Sequence, residues 1–591
     1  MNQPTKADAA RILREIATLM LFHNENPFKV RAFENAATAL LAEPRALNEL
    51  ARPGGGLEKI KGIGKGTADV IREINLTGDS VMRADLAKGT PAVLAELLRV
   101  PNLGVKKIAQ VYAELGVSDL DSLEAACTDG RIAALRGFTA KSAEKILAGI
   151  DLARRSTGLM LLSTALTAAQ PILAALRAHP AVKRAEVAGS LRRRKEVVGD
   201  LDFVASSDDP EALMKFFTSL PQVQSIMGQG GTKASVLLDD DLQADLRVVP
   251  DAQFATALHH FTGSKEHNTL LRARAVKMGL KVNEYGVFRE DDAGETPLPV
   301  TTEEELFRAL GLAYIEPELR EGQGEIEAAE AGTLPRLIER ADYAGVLHCH
   351  TTWSDGVHSI LQMATAARDT HGWQYFAVCD HSEAAAYAGG VKKGDIAAQH
   401  EEIDEVNAAL ATDSFRVLKG CECDIMGDGS MDYPDEILAK MDVVVASIHS
   451  RFQLPEEAMT ERIIRAMENP YVTMIGHVSG RLLLGRDPYQ FDVDAVLKAA
   501  ARTRTVMEIN ADPRRLDLDW RFCRRARELG VMFSINPDAH KMETLAYVDY
   551  GVAMARKGWL TREDVINCLP LEEFLEWVRQ QREFKLRLAA E

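Results

Sequence analysis

The chain has 591 residues, of which 46% are hydrophobic and 27% charged, a composition typical of a folded soluble protein with several domains. Its apolar runs fall short of the roughly 18 residues that span a bilayer, and its polar N-terminus does not look like a signal peptide. Seven cysteines without a paired pattern favour a reducing compartment, so we expect a cytoplasmic protein with no membrane partner. The net charge of −17 argues against nucleic-acid binding by the chain as a whole, but residues 1–155 carry 22 Lys and Arg against 19 Asp and Glu. That N-terminal part can still meet a phosphate backbone.

A short glycine-containing pattern occurs three times in the region 1–155, which is predicted to be helical throughout. The copies are residues 57–68, 97–108 and 132–143, with Asn102 in place of the first glycine of the second copy and Thr139 in place of the second glycine of the third. Two helices joined by such a hairpin present backbone N–H groups that suit a phosphate. Three copies with nearby lysines favour this interpretation over a solvated helix face, and they resemble the helix-hairpin-helix elements of DNA-binding proteins. The predicted DNA contacts are Gly62, Gly64, Lys65, Asn102, Gly104, Lys106, Gly137 and Lys141.

Carboxylates cluster in residues 156–320, where helices and strands are predicted to alternate. Asp200 and Asp202 lie on one face of a predicted strand because side chains alternate along a strand. Asp245 lies on a second apolar strand that could pair with the first. Three such carboxylates can hold two divalent cations for in-line phosphoryl transfer, an interpretation favoured over a solvated strand end. The preceding turn offers a glycine, a hydroxyl and a guanidinium to a triphosphate: Gly189, Ser190 and Arg193.

Nine side chains of metal-ligand type occur in residues 341–580, each after a short apolar run. The runs near residues 345, 375, 416, 443, 472, 505 and 531 predict seven β/α units, whose strands would deliver ligands at their carboxyl ends. The predicted ligands are His348, His350, Asp355, His381, Glu422, His449, His477, Asp538 and His540. Nine ligands indicate two or three ions, and a mixture of imidazoles and carboxylates suits Mn²⁺ or Zn²⁺ better than Mg²⁺. A lone barrel histidine is more often packed or solvated; His371 and His400, away from strand ends, serve as internal controls.

On these motifs, residues 1–320 resemble a family X DNA polymerase similar to DNA polymerase beta, and residues 341–580 resemble the polymerase-and-histidinol-phosphatase domain. The resemblance implies a multi-domain fold with an all-α helix-hairpin-helix N-terminal region, an α/β nucleotidyltransferase palm with a thumb, and a distorted (β/α)7 C-terminal barrel. The implied domains are two helical DNA-binding domains at 1–85 and 86–155, a palm at 156–250, a thumb at 251–320, a linker at 321–340 and a barrel at 341–580.

The resemblance also implies roles for individual residues. Asp200, Asp202 and Asp245 would be the catalytic ligands of Mg²⁺ or Mn²⁺ in the palm. The segment that begins at His260 matches the family's Tyr-Phe-Thr-Gly-Ser, which lies beside the nucleotide sugar. The implied nucleotide contacts are Gly189, Ser190, Arg193, His260, Phe261, Gly263 and Asn268. The implied primer and template contacts are Lys233 and Arg272.

The sequence departs from the family pattern at three positions. Val70 occupies the position of the lysine that forms a Schiff base in relatives with deoxyribose-phosphate lyase activity, and another nearby lysine position is Gly66, so we expect no efficient lyase. His260 replaces a tyrosine, which bears on sugar discrimination. Val346 replaces an acidic residue that is often seen before the first His-x-His, where it tunes the site without binding a metal.

These features together predict a cytoplasmic, monomeric repair polymerase that associates with the nucleoid when it is on DNA. Its partners would be gapped or nicked DNA and deoxynucleoside triphosphates. The barrel would supply 3′–5′ exonuclease activity, with apurinic-site endonuclease and 3′-phosphatase activity as further options. Two alternatives stay open: a phosphatase of the histidinol-phosphate type, and a nucleic-acid-binding scaffold whose polymerase has weakened.

Overall fold

The computed structural model describes residues 4–43, 45–88, 90–91, 94–101, 103–238, 242–291, 294–410 and 414–590. The chain forms two compact units, Met1–Thr157 and Gly158–Glu591. Within the described residues, no helix is both long enough and apolar enough to cross a membrane. The finer division into six parts stays a prediction.

The first unit is helical, as its sequence predicts. Its helices are α1 (Lys6–Phe22), α2 (Pro27–Ala42), α3 (Leu47–Ala51), α4 (Lys65–Thr77), α5 (Val81–Ala87), α6 (Leu94–Leu97), α7 (Val105–Leu115), α8 (Leu120–Thr128), α9 (Arg131–Ala134) and α10 (Ala140–Arg155). Ile12 and Ile16 of α1 enter an apolar core shared with α2 and α4, whereas Leu19 and Phe22 enter a second core shared with α7, α8 and α10. Helix α1 therefore belongs to both cores and joins them into one unit.

The second unit begins with a five-stranded sheet in the order β2-β4-β7-β6-β5. The elements in this part of the chain are β1 (Met160–Leu161), α11 (Leu162–Ala178), β2 (Val182–Val187), α12 (Gly189–Arg192), β3 (Val197–Val198), β4 (Asp200–Ser207), α13 (Pro210–Thr218), β5 (Val223–Gln229), β6 (Lys233–Leu238) and β7 (Gln243–Val249). Strands β1 and β3 pair with each other outside the five-stranded sheet. Strand β4 alternates as its sequence predicts, because Leu201, Phe203 and Ala205 enter the main core while Val204 faces the opposite side. The start of β4 therefore carries two aspartates on the face that Val204 shares.

A smaller α/β layer follows the sheet. It contains α14 (Phe254–Thr262), α15 (Lys265–Lys277), β8 (Leu280–Asn283), β9 (Gly286–Asp291), β10 (Gly294–Leu298), α16 (Glu303–Ala309) and α17 (Glu325–Ala331). Helix α17 lies inside the predicted linker 321–340, which is folded and not an extended connector. Its Ile326 is buried in the apolar core of this layer, and Glu325 pairs at 2.7 Å with the buried His267. Glu325 also accepts the amides of Gly322 and Gln323, so the acidic and glycine-containing composition of this segment marks a helix start.

The remaining strands form a parallel seven-stranded sheet in chain order, and helices lie between and after them. The strands and helices of this part of the chain are β11 (Gly345–Val346), α18 (Ile360–Thr365), β12 (Tyr375–Val378), α19 (Ile396–Leu410), β13 (Arg416–Asp424), α20 (Asp435–Leu438), β14 (Val443–Ser447), α21 (Glu456–Glu468), β15 (Met474–Ile475), α22 (Val493–Thr503), β16 (Val506–Asn510), α23 (Trp520–Glu528), β17 (Phe533–Asn536), α24 (Val548–Lys557) and α25 (Leu571–Ala590). A bridge between Cys349 and Ala539 links the segments after the first and last strands. The sheet is thereby nearly closed, which confirms the predicted (β/α)7 barrel and its strand positions.

Candidate active sites

The three palm aspartates meet where two parallel strands start. Strands β4 and β7 pair so that Asp202 lies opposite Asp245, and Asp200 lies two residues earlier on β4. Gly189, at the start of α12, has φ of +59°, and a Cβ built there would lie 2.2 Å from Asp202 Oδ2. Glycine is therefore required at position 189, both for its backbone conformation and for the space that the Asp202 carboxylate occupies.

The close approach of these carboxylates shifts their protonation. Burial, together with the charges of Asp200 and Asp245, raises the pKa of Asp202 to about 7. Burial and the charge of Asp245 also raise the pKa of Asp200. Burial acts in the same direction on Asp245, but hydrogen bonds from Lys233, Gln243 and Ser235 outweigh it and lower its pKa. Lys233 Nζ lies 2.6 Å from Asp245 Oδ2, so a side-chain ammonium group already neutralises part of the negative charge of the site. Mutual repulsion of this kind is relieved by divalent cations, which fits the chemistry of the three side chains.

The predicted triphosphate contacts lie beside the aspartates. Ser190 is in α12, and Arg193 caps the end of that helix, close enough for its charge to oppose in small part the rise in the pKa of Asp202. Arg193 Nη1 donates to the carbonyl of Thr262, and its Nε lies 3.1 Å from Glu321 Oε1. A Cβ built on Gly263 would lie 3.1 Å from Arg193 Nη1, so a side chain there would displace the guanidinium.

The other predicted nucleotide contacts gather around the end of α14. Asn268 Nδ2 donates to the carbonyl of His260 at 2.8 Å, and Arg272 Nε donates to the carbonyl of Asn268 at 3.2 Å. The Phe261 ring packs under the guanidinium of Arg247, 5.1 Å from ring centroid to Cζ. His260 Nδ1 lies 3.7 Å from Glu284, and burial lowers the pKa of this imidazole. His260, Asn268 and Arg272 line one small pocket, so three residues separated in sequence form a single surface.

The nine predicted barrel ligands lie in one cluster at the carboxyl ends of the strands, buried except for the more exposed Asp355 and His540. Glu422, near the end of β13, is its centre. Its Oε1 lies 3.0 Å from His477 Nε2, 3.3 Å from His449 Nε2 and 3.5 Å from His348 Nε2, and its Oε2 lies 2.8 Å from His381 Nδ1. On the other side of the cluster, Asp538 Oδ1 lies 3.1 Å from His350 Nε2, and Asp355 Oδ1 lies 3.2 Å from His540 Nε2.

Eight of the nine ligands fall into three groups whose donor atoms lie within 4.8 Å of one another. The groups are His350, Asp355, His381 and His540; His348, His350 and Asp538; and His381, Glu422 and His449. Four imidazole nitrogens of the cluster are buried without an aligned hydrogen bond among the described residues: His348 Nε2, His350 Nδ1, His381 Nδ1 and His477 Nδ1. His381 Nδ1 lies 2.8 Å from Glu422 Oε2 but not in hydrogen-bonding alignment, and outside the cluster His400 Nε2 is a further buried nitrogen without a partner among the described residues. Burying several such nitrogens together is costly unless a ligand satisfies them, so the cluster fits two or three divalent ions.

The carboxylates of the cluster favour positive charge on two of its histidines. Burial acts to lower the pKa of His449, but Glu422 and Asp424 raise it to about 10. For His540, Asp355 and Asp538 likewise outweigh burial and raise the pKa to about 9. The control histidines lie elsewhere: His371 stacks on Trp373 at 4.5 Å, and His400 lines a groove beside α19.

Two buried carboxylates support the ligands and were missed by the sequence reasoning. Glu508 on β16 binds His348 Nδ1 at 2.7 Å and accepts the backbone amide of His477 at 2.7 Å. Asp424 binds His449 Nδ1 at 2.7 Å and thereby sets which nitrogen faces Glu422. Asp424 could have been found, because it shares a strand face with Glu422 two residues earlier. Glu508 gave a weaker signal, a single acid within an apolar strand.

The hairpins of the first unit show why the glycine pattern varies. Gly62 and Gly137, in the first-glycine position, have φ of +101° and +86°. The second-glycine position precedes a helix with negative φ, −87° at Gly64 and −142° at Thr139, so threonine is tolerated there. The remaining predicted contacts Lys65, Gly104, Lys106 and Lys141 are exposed, whereas Asn102 lies outside the described residues.

Comparisons with known proteins agree with this architecture. A helix-hairpin-helix domain model matches residues 4–80, a SAM-like helix-hairpin-helix tandem model matches residues 94–151, and a DNA polymerase beta thumb model matches residues 257–321. The chain is 29% identical over 235 residues to a probable phosphatase of Thermoanaerobacter sp. (strain X514), covering 38% of this chain and 90% of the phosphatase. It is 40% identical over 570 residues to the DNA polymerase/3′-5′ exonuclease PolX of Bacillus subtilis (strain 168), covering 96% of this chain and 98% of that protein. The chain therefore belongs to the family X DNA polymerases, with a phosphatase-like barrel as its C-terminal part.

Proposed function

We propose that this protein is a gap-filling DNA polymerase that carries its own 3′-end nuclease. The observation that carries the proposal is the pairing of Asp202 with Asp245 across parallel strands, with Asp200 beside them, in the same chain as a nine-ligand cluster. The first site would add deoxynucleotides to a primer 3′-hydroxyl with release of pyrophosphate, and the second would hydrolyse phosphodiesters at 3′ ends.

In the palm, the chain's own residues would hold and orient the reactants. Asp200, Asp202 and Asp245 would hold Mg²⁺ or Mn²⁺, which when bound supplies charge stabilisation for in-line phosphoryl transfer. Ser190 and Arg193 would bind the triphosphate, and the pinned guanidinium of Arg193 supports this role because two of its nitrogens are already fixed. Lys233, which holds the Asp245 carboxylate, would move to the primer phosphate once cations take its place.

The surface around the end of α14 would receive the nucleotide and the template. His260, Phe261 and Gly263 would line the sugar edge, Asn268 would contact the base and Arg272 the template strand. Support comes from the hydrogen bonds that join His260, Asn268 and Arg272 into one surface. Asn268 Oδ1 is buried without a partner among the described residues, which leaves one end of its amide for a ligand.

In the barrel, the nine ligands would hold two or three ions, with Mn²⁺ or Zn²⁺ the best match to the mixture of imidazoles and carboxylates. Bound ions would supply an activated water and charge stabilisation for phosphate-ester hydrolysis. Glu508 and Asp424 would keep His348 and His449 in fixed orientations with the metal-facing nitrogen outward. We assign 3′–5′ exonuclease activity to this site, with apurinic-site endonuclease and 3′-phosphatase activity as related reactions on the same cluster.

The hairpins would bind the DNA backbone without reading sequence. Built Cβ atoms at Gly64, Gly66 and Gly104 meet nothing within 4 Å, and the φ values of Gly64 and Gly104 suit any residue. Neither packing nor conformation requires glycine there, and the open space would admit a phosphate backbone close to the chain. No side chain caps α4 or α7, which leaves their first amides to an anion.

The lyase reaction is not part of the proposed function. Val70 is buried in the apolar core of α1, α2 and α4, so the family's lysine position faces the interior here. The proposal also includes a cytoplasmic monomer, supported by seven free, buried cysteines and by catalytic clusters that are each complete within one chain.

A substrate comparison tests the proposal against its rivals. A gapped duplex with a labelled primer and histidinol phosphate are offered separately, each with Mn²⁺. We expect primer extension with dNTPs and 3′ shortening without them, and little release of phosphate from histidinol phosphate. Rapid hydrolysis of histidinol phosphate without any action on DNA would instead support the small-molecule phosphatase. Shortening of the primer without extension would support the weakened polymerase scaffold.

A further inference from the structure

The loop that follows α12, the helix proposed to bind the triphosphate, is held by the barrel. Residues 193–196 connect α12 to β3 in the palm. Two barrel helices contact this loop, α23 through Trp520 and Arg521 and α24 through Lys557. The polymerase site and the phosphoesterase barrel are therefore joined at the loop that carries Arg193.

The contact through α24 is centred on Lys557. Its ammonium group is buried, with a side chain that is 0% exposed, and it pairs with Glu321. It also donates to the carbonyls of Arg193 at 3.1 Å and Glu318 at 3.3 Å, and it lies 4.5 Å from the Trp520 ring centroid. A buried ammonium with this many partners fixes the position of each of them, because no water competes for its three hydrogens.

Glu321 passes this constraint to the guanidinium of Arg193. The same Glu321 Oε1 that binds Lys557 lies 3.1 Å from Arg193 Nε, and the Thr262 carbonyl holds Arg193 Nη1. Both ion-pair partners are largely buried, with 13% and 10% of their side chains exposed. Two of the three guanidinium nitrogens are thus fixed by protein, and Nη2 has no hydrogen-bond partner among the described residues.

A second contact holds the other end of the loop. Glu196 accepts hydrogen bonds from Trp520 Nε1 at 3.1 Å and from Arg521 Nη1 at 2.7 Å. It is 6% exposed, so these barrel residues provide most of the polar surroundings of its carboxylate. The loop cannot shift without breaking one of the two contacts.

We propose that the barrel is a positioning element of the polymerase nucleotide pocket, in which Lys557 acts through Glu321 to hold Arg193 ready for the triphosphate. The proposal rests on the proposed role of Arg193 and adds to it a requirement for a residue about 360 positions later in the chain. Lys557 is a positioning residue and touches neither DNA nor nucleotide. The barrel then has two separate tasks, hydrolysis in its metal cluster and support of nucleotide binding through α23 and α24.

The test separates nucleotide affinity from the rate of the chemical step. Full-length Lys557→Met and Glu321→Gln variants are assayed by single-turnover extension of a gapped duplex across a range of dNTP concentrations. We expect the Kd for dNTP to rise about tenfold, a coupling typical of residues in one hydrogen-bond network, while the maximal rate and the exonuclease rate change less than about twofold. Binding of dNTP to a dideoxy-terminated complex, measured without turnover, should weaken to the same extent.

Arg556→Met is the matched control, because Arg556 precedes Lys557 in α24 and pairs with Glu318 at 2.8 Å without reaching Arg193. It should leave the Kd for dNTP unchanged. In an Arg193→Ala background, Lys557→Met should add nothing, because its route to the nucleotide is already lost. Preserved exonuclease activity shows that the barrel has folded, and Glu321→Gln carries the test if Lys557→Met does not fold.

The outcomes are distinguishable. If Arg193→Ala weakens dNTP binding but Lys557→Met and Glu321→Gln do not, the positioning role is wrong and the proposed function stands. If Arg193→Ala has no effect, the triphosphate role of Arg193 falls and this inference falls with it. Equal losses from Lys557→Met in the presence and absence of Arg193 would show that the lysine acts by another route, which also overturns the proposal.

Discussion

The contact between Gly189 and Asp202 makes a sharp prediction for the polymerase site. In Gly189→Ala, the new Cβ would lie 2.2 Å from Asp202 Oδ2, so the carboxylate oxygen must move by about 1 Å to reach ordinary contact at 3.4 Å. The φ of +59° adds a conformational cost of about 1–2 kcal/mol for alanine. A displacement of about 1 Å in a reacting group can lower a rate by about 100-fold, and that is the loss we expect in primer extension.

The assay is single-turnover extension of a gapped primer, with exonuclease activity measured on the same preparation. Gly228→Ala is the matched control, because a Cβ there meets nothing within 4 Å and the residue lies in the edge strand β5 of the same sheet. The control should extend normally, and both variants should retain exonuclease activity. Extension by Gly189→Ala within about twofold of wild type would refute the reasoning, because Asp202 could then move freely without loss.

Three further predictions concern other parts of the chain. Gly64→Val combined with Gly104→Val should weaken binding to gapped DNA by about tenfold in fluorescence anisotropy without changing the melting temperature, because both positions face open space. His260→Tyr should raise the preference for dNTP over rNTP by about tenfold in insertion assays, and an unchanged ratio would show that this side chain does not sense the sugar. Burial lowers the pKa of Lys585 from 10.5 to about 7, so unfolding takes up a proton between these values and stability should rise with pH across that window. Lys585→Met should flatten this rise in urea unfolding at pH 7 and pH 10, and an equal rise in both proteins would contradict the assignment.

Local patterns were enough to predict where the proposed ligand side chains lie in the fold. Alternation along β4 put Asp200 and Asp202 on one face, and the apolar runs of the barrel located strand ends to within about three residues. These features are encoded within a few residues of sequence, so a single chain reveals them. The pairing of Asp202 with Asp245 was expected as a possibility, and the structure supplies its register.

Contacts between segments that are distant along the chain could not be predicted from the sequence. Nothing near Lys557 indicates that it meets Glu321 and Arg193, because the meeting depends on how α24 packs against the palm. The folded segment around Glu325 was hidden for a related reason, since its acidic composition resembles that of a flexible connector while its partner His267 lies 58 residues away. Side chains whose partners are remote in sequence require the tertiary structure.

The central claim is that one chain holds two phosphoryl-transfer sites with separate catalytic residues, and a primer with a mispaired 3′ nucleotide tests it most directly. With dNTPs and Mn²⁺, the wild type should remove the mispaired nucleotide and then extend the primer. Asp200→Ala should shorten the primer without extending it, whereas Glu422→Ala should leave the mispaired end intact yet still extend a matched primer. Extension by Asp200→Ala, or shortening by Glu422→Ala at the wild-type rate, would contradict the account.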